Sequence, residues 1–203
     1  MTRIIRHLLD FSRRRGPQLV RYELQRLVAD AVEILSPLAK SRQVTIAVDA
    51  SEHVPAAVDP TQMLQALTNL MVNGMQAMSE GGCLTVAVGH RYAHPPADHA
   101  GEEGEYACIS VIDQGEGIER EVLEHVLEPF FTTKDVGEGT GLGLSVAWGI
   151  VREHGGWIDV TTEHGRGSEF SILLRERPRR EARVLVLDDD QDMCEMLAAA
   201  PRP

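Results

Sequence analysis

Gly137, Gly139, Gly141 and Gly143 fall on every second residue and lead straight into an apolar stretch that stops at Gly155-Gly156. No other feature of the chain limits its fold as tightly. Glycine at this density suits neither a strand interior nor a helix interior, where each one costs about 1 kcal/mol against alanine. The spacing therefore predicts a loop that opens a helix. Alternating glycines free backbone amides to face an anion, and the helix N-terminus adds positive potential. No Gly-Lys-Ser/Thr follows, which excludes a Walker loop. G-x-G-x-x-G cannot be placed on these glycines, which excludes the dinucleotide fingerprint.

The 203-residue sequence has room for one well-buried domain with pieces of others, since 43% of it is hydrophobic and 25% charged. A formal charge of −11 speaks against broad binding to nucleic acid. No apolar run reaches the ~18 residues that span a bilayer, and the opening MTRIIRHLLDFSRRRG lacks a cleavage signal. Cys83, Cys108 and Cys194 form no CxxC and fit reduced thiols. The expectation is a soluble cytoplasmic domain without membrane contact of its own, with a membrane anchor left open for the full-length protein.

Along the chain, Ile4, Ile5, Leu8, Leu9 and Phe11 recur at near-helical spacing until Gly16-Pro17. Leu24, Leu27, Val28, Ala31, Val32, Ile34 and Leu35 mark the apolar stripe of a second helix. Val44 to Val48 alternates as a strand. Asp59-Pro60 opens a helix predicted to run to Met78, with Gly81-Gly82 beyond its end. Cys83 to Val88 and Tyr106 to Ile112 read as strands, and HRYAHPPADHAGEEGE between them as a long exposed hairpin loop. Trp157 to Thr162 and Ser168 to Leu174 read as a closing strand pair around HGRG. RERPRREAR is a charged linker, after which Val184 to Leu187 starts a fresh strand ending at Asp188-Asp189-Asp190.

Three further features carry chemistry. In TNLMVNGMQAM, Asn69 and Asn73 lie four apart and share a helix face. An amide oxygen can ligate Mg²⁺ without acting as a general base; two such residues read alone also fit capping or a solvated face. Asp113-Gln-Gly115-Glu-Gly117-Ile118 follows an apolar strand. A carboxylate there can accept from an exocyclic amine while glycines let backbone approach a planar base, or the segment is an ordinary turn. Glu128-Pro-Phe130-Phe131-Thr132-Thr133-Lys134 suits a hinge for a mobile loop and equally suits core packing.

Together and in order, these four features resemble the ATP-binding catalytic domain of sensor histidine kinases, of the Bergerat-fold superfamily shared with gyrase, the 90-kDa heat-shock chaperones and MutL. The resemblance runs from about Leu19 to Leu174, and EPFFTTK…GEGTGLGLSVAWGIVREHGG is most similar to the nitrogen-regulation type. It implies a two-layer α/β sandwich with a mixed sheet, helices on one side and a flexible lid over the nucleotide. It further implies an ATP site of Asn69, Asn73, Asp113, Gly115, Gly117, Ile118, Phe131, Thr133, Lys134, Gly139, Thr140, Gly141, Leu142 and Gly143. In that site Asn73 holds Mg²⁺, Asp113 reads adenine and Gly117 lies beneath the base. Gly74 stands where the family usually has Ala, a loss of about 1 kcal/mol of helix propensity. Gln76 replaces a basic residue that meets phosphate in many members, which implies weaker binding of ATP.

The ends resemble parts of the same signalling system. Residues 1–16 resemble the end of a dimerisation and phosphotransfer hairpin, 17–176 the catalytic domain, 177–182 a linker and 183–203 the truncated start of a receiver domain. In that stub Asp188 and Asp189 match the receiver's Mg²⁺ pair. None of the eight histidines has the H-E/D-x-x-x-P context of a phospho-acceptor, so no catalytic residue is assigned within the chain. His90, His94 and His99 are a weak metal candidate. The expected function is transfer of the ATP γ-phosphoryl, with Mg²⁺, to a His on a hairpin domain. The expected partners are that hairpin domain and a response-regulator receiver, within a homodimeric full-length protein and without nucleic acid. An ATP hydrolase of the same superfamily and a nucleotide-binding module without turnover are the alternatives. A Glu base on the helix, where Asn69 stands, would mark the hydrolase.

Overall fold

The computed structural model describes residues 16–97, 99, 101–123, 125–126, 131 and 141–176. Among these residues seven strands and four helices follow one another as β1 (Val20–Glu23), α1 (Leu24–Ser41), β2 (Val44–Asp49), β3 (Pro55–Val58), α2 (Pro60–Ala77), β4 (Gly82–Ala93), β5 (Gly104–Ile112), α3 (Arg120–Leu123), α4 (Gly143–Glu153), β6 (Trp157–Glu163) and β7 (Gly167–Leu174). Five strands form one mixed sheet in the order β2-β4-β5-β7-β6, in which only β2 and β4 run parallel. β1 and β3 form a separate antiparallel ribbon, Val20 opposite Val58. The result is the expected α/β sandwich.

The helices cover one face of the large sheet because their apolar stripes match its inward residues. From α2, Met63, Leu67, Leu70, Met71 and Met75 are buried, and from α1, Leu24, Leu27, Val28, Ala31 and Leu35. They meet Leu84, Val86 and Val88 of β4, Ile109 and Val111 of β5, and Phe170 and Ile172 of β7, all at alternate positions. Each large aliphatic side chain buried this way contributes about 1.5–3 kcal/mol. The opposite face carries a smaller cluster of Tyr106, Cys108, Trp157 and Leu173. The β4–β5 connection folds over it, with the His99 ring 5.0 Å from Trp157 and the Tyr106 hydroxyl donating to Glu102 O.

The element boundaries follow local chemistry. Asp59 caps α2, its Oδ1 accepting from Thr61 N at 3.1 Å and Gln62 N at 3.2 Å, with Pro60 in the first turn where no amide is needed. Three sequence expectations need correction. The stretch taken as one long exposed loop is largely strand, since β4 continues through His90–Ala93 and β5 begins at Gly104; only 94–103 remains a connection. Cross-strand pairing, such as Arg91 with Tyr106, overrides the polar composition there. The short strands β1 and β3 were not expected. Ile34, assigned to the buried stripe of α1, is 57% exposed because that stripe is narrower than the sequence suggests.

Among the described residues no helix is long and apolar enough to cross a membrane. No group of three or more His, Cys, Asp or Glu there could hold a metal, so His90, His94 and His99 form no such cluster. Cys83 and Cys108 are free thiols. Residues 1–15 and 177–203, including Cys194, Asp188 and Asp189, lie outside the described residues.

The two aliphatic positions separate in stability. Leu67→Ala, in a fully buried site, lowers unfolding free energy by about 2–5 kcal/mol, while Ile34→Ala changes it by about 0.5 kcal/mol or less. Urea unfolding followed by tryptophan fluorescence checks both.

Candidate functional site

β5 ends where its chain direction is captured by β7. Asp113 N donates to Ser168 O at 2.9 Å, and Asp113 Oδ1 accepts from Gly115 N at 2.9 Å and Ser168 N at 3.3 Å. The residue is only 4% exposed. Burial pushes its carboxyl above the ordinary carboxylate range, and the two amides from Gly115 and Ser168 pull it back down. The result is a buried acceptor with fixed direction. A Cβ on Gly74 of α2 would stand 3.8 Å from Asp113 Oδ2 and 3.4 Å from Asp113 Cβ. The second carboxylate oxygen therefore lies beside the α2 backbone, next in sequence to Asn73.

The loop after Asp113 needs its glycines for close approach. A Cβ on Gly115 would meet Ala77 O at 2.5 Å, at the C-terminal end of α2. Gly117 takes a positive φ of 69° and faces the backbone of Glu163 and His164. Ile118 N donates to Thr162 Oγ1 at 2.9 Å, and Gly165 N donates to Glu116 O. Thr162 Oγ1 also lies 3.0 Å from Ser168 Oγ. The β6–β7 hairpin thus holds this loop in place. Sequence reasoning assigned no role to Thr162 or Ser168, and strand periodicity gives no signal for them.

Asn69 and Asn73 are both half-buried on α2, one turn apart. Their positions differ in kind. Asn73 adjoins Gly74, against which Asp113 packs, whereas Asn69 lines a cleft shared with α1. Gly74 does more than lower helix propensity: a methyl there would stand 2.7 Å from Leu84 Cδ1 in the core. Alanine would require Leu84 to repack.

The N-termini of α2 and α4 contrast. α2 is closed by Asp59. α4 begins at Leu142 with no side-chain cap among the described residues, after Gly141 at a φ of 62°. Leu142 O accepts from Val146 N at 2.9 Å and Ser145 Oγ at 3.1 Å. A Cβ on Gly143 would meet nothing within 4 Å. First-turn amides at such an end suit an anion.

One further residue joins these helices. His154, 6% exposed at the end of α4, accepts from Asp59 N at Nε2 (3.0 Å) and donates from Nδ1 to Ile150 O at 2.7 Å. A backbone N–H can only donate, so the proton sits on Nδ1. Sequence reasoning assigned no role to His154.

Phe131 is described, its ring 5.8 Å from that of His125. Glu128, Phe130, Thr133, Lys134, Gly137, Gly139 and Thr140 lie outside the described residues. Asp113, Gly115, Gly117, Ile118 and Gly74 with its neighbour Asn73 are brought together; Gly141, Leu142 and Gly143 lie at the N-terminal end of α4.

Asp113→Asn keeps the Oδ1 acceptor and removes the buried charge. Because the folded carboxyl titrates above its unfolded value, its ionisation costs stability as pH rises through the raised range, and that cost vanishes below the unfolded value. The variant therefore gains stability relative to the parent as pH increases from acid to neutral. Urea unfolding at a series of pH values measures the difference; a constant difference would contradict the assignment.

Residues 58–178 match the family described as histidine kinase-, DNA gyrase B- and HSP90-like ATPases. Sensor kinase CckA of Brucella abortus (strain 2308) is 38% identical over 179 residues, which cover 84% of this chain and 18% of CckA. Sensor histidine kinase ZraS of Escherichia coli (strain K12) is 34% identical over 175 residues, covering 86% of this chain and 35% of ZraS. The chain thus spans about a third or less of the length of these relatives. The solved catalytic domain of histidine kinase ThkA superposes with a TM-score of 0.65 at 25% identity, covering 78% of this chain and 96% of that one. Full-length ShkA, solved with AMPPNP, shares the fold at a TM-score of 0.62 and 24% identity, covering 77% of this chain and 31% of its own. ThkA in complex with the response regulator protein TrrA does so at 0.68 and 23%, covering 87% and 47%.

Proposed function

The chain belongs to the histidine kinase-, DNA gyrase B- and HSP90-like ATPase family, and from that premise we propose that it is the ATP-binding catalytic core of a sensor histidine kinase. The observation that carries the reading is the buried, backbone-held carboxylate of Asp113 beside α2. The residues present fit an adenine nucleotide. Asp113 offers an acceptor to an exocyclic amine in a water-poor setting, and Gly115 and Gly117 keep side chains out of the base's way. Asn73, one residue from the Asp113 contact, would hold Mg²⁺ through its amide oxygen, with Asn69 one turn earlier. Leu142, Gly143 and the glycines before them would give backbone amides to phosphate, joined by Phe131, Thr133, Lys134, Gly139 and Thr140. Mg²⁺ neutralises phosphate charge when bound.

In this reading the chain's residues orient the nucleotide and exclude water, and contribute no nucleophile. The acceptor imidazole belongs to a hairpin domain, and in-line positioning supplies the rest of the rate. The neutral amide of Asn69 supports a transferase over a hydrolase, which would need a carboxylate base there. The names of CckA and ZraS, and the AMPPNP bound to ShkA, support the same reading. A response-regulator receiver is the proposed downstream partner, as TrrA is for ThkA. We assign 17–176 to the catalytic domain, 1–16 to the hairpin's end, 177–182 to a linker and 183–203, with Asp188 and Asp189, to the start of a receiver.

Calorimetry separates the parts. Asp113→Asn places an amide donor where the exocyclic amine needs an acceptor, so ATP affinity falls by about tenfold or more, and Asn73→Ala weakens Mg·ATP but not Mg²⁺-free nucleotide. Equal affinity for ATP and GTP in the parent chain would remove Asp113 from base reading.

Phosphoryl transfer is tested with radiolabelled ATP and Mg²⁺. The chain alone acquires no stable label, and adding the intact hairpin domain of its own kinase yields acid-labile, base-stable label on that domain. Acid-stable label on the chain would replace this reading with a Ser/Thr kinase. Rapid phosphate release without the hairpin would replace it with a hydrolase.

A further inference from the structure

Along the helix-facing side of β6 the alternate residues are Ile158, Val160 and Thr162, and along β7 they are Ile172, Phe170 and Ser168. Both apolar rows end in a hydroxyl at the same rung of the ladder, Thr162 opposite Ser168. That rung lies beside the loop that follows Asp113. Packing alone would be served by valine, so the Thr162 hydroxyl answers to its hydrogen bonds. Thr162 Oγ1 donates to Gly167 O at 3.2 Å. With its single proton used, it accepts from Ile118 N at 2.9 Å and from Ser168 Oγ at 3.0 Å. The Ser168 amide in turn donates to Asp113 Oδ1. One hydroxyl therefore ties the far end of the loop, at Ile118, to the residue that orients the Asp113 carboxylate.

We propose that Thr162 is a positioning residue for the base half of the nucleotide site: without touching the ligand, its hydroxyl sets where Gly117 and Ile118 stand relative to Asp113. The loop meets the β6–β7 hairpin at three consecutive residues. Glu116 O accepts from Gly165 N, a Cβ on Gly117 would fall 2.2 Å from Glu163 O, and Ile118 N reaches Thr162. The first two are main-chain contacts. Of the three, only the last depends on a side chain of the hairpin.

The start of the loop is held separately. Asp113 Oδ1 accepts from Gly115 N, and Gln114 Oε1 accepts from Cys83 N of β4 at 3.2 Å. Loss of the Thr162 hydroxyl therefore frees the end that carries Gly117 and Ile118 and leaves the Asp113 end in place. The Ile118 side chain packs against the core, but that contact has no direction and does not fix the height of the backbone. The proposal rests on the reading of Asp113 as the adenine acceptor. It adds the residue that keeps the glycine platform in register with that carboxylate.

Hydrogen exchange and calorimetry on the full chain test it. Without nucleotide, the Ile118 amide exchanges roughly tenfold faster in Thr162→Val than in the parent, and Thr162→Ser restores the parent rate. Affinity for Mg·ATP falls about five- to tenfold in Thr162→Val and stays at the parent value in Thr162→Ser. Double-variant cycles separate positioning from general loosening. The loss from Thr162→Val adds in full to that of Asn73→Ala, on the phosphate side, and only in part to that of Asp113→Asn, on the base side. Thr162→Ala gives the same directions and stands in if the valine variant does not fold, which circular dichroism checks. Parent-like ATP affinity in a folded Thr162→Val would overturn the proposal and leave the nucleotide reading standing. A loss that adds in full to Asp113→Asn would do the same. A parent chain that binds no ATP would overturn the nucleotide reading, and this proposal with it.

Discussion

One buried carboxylate sets the geometry on which the candidate site depends. Asp113 gives its amide to Ser168 O and takes the Ser168 and Gly115 amides on Oδ1, so side chain and main chain together lock β5 to β7 at the end of the sheet. Gly167 makes the approach possible: it holds a φ of 105°, and a Cβ on it would fall 2.1 Å from Asp113 O. No side chain fits there. Each such amide bond is worth only about 0.5–1.5 kcal/mol net. In a desolvated pocket their larger effect is to keep the carboxylate in one orientation and to offset part of the cost of its charge. The Asp113-x-Gly115-x-Gly117 loop then follows, pinned by Ile118 N to Thr162 Oγ1.

Around that anchor, α2 works on two sides. Its apolar stripe is buried against the sheet, while Gly74 lets the helix sit close to Leu84 and Asp113. Its remaining surface carries Asn69, which lines the cleft shared with α1, and Asn73, next in sequence to the Gly74 that packs on Asp113. The helix cannot slide along its axis without breaking its cap. Asp59 holds Thr61 and Gln62 amides, Gln18 N on its second oxygen, and through its own amide the Nε2 of His154. His154 in turn closes α4. The N-terminus of α2, the C-terminus of α4 and the chain segment before β1 therefore meet at one residue. Their relative positions are fixed at the end of α2 opposite the one that meets Gly115.

What the sequence determined by itself were the features that depend on local chemistry. Asp59-Pro60 at its start and Gly81-Gly82 beyond its end defined α2 nearly to the residue. Alternation in Val44–Val48 and the apolar runs Tyr106–Ile112 and Ser168–Leu174 defined three strands, and the Gly143 boundary defined the start of α4. The ordered asparagine, Asp-x-Gly-x-Gly and glycine-run motifs were enough to point to the family. Other features were decided only in the tertiary structure, because they arise from groups far apart in the chain. Residues His90–Ala93 became strand once β5 lay alongside to pair with them. Ile34 became surface because the sheet accepts only part of the stripe of α1. Ser168 and His154 acquired their roles from partners 55 and 95 residues away, Asp113 and Asp59. Periodicity records which side of an element is buried; a hydrogen bond across the fold depends on where another element comes to rest, and no spacing within one segment encodes that.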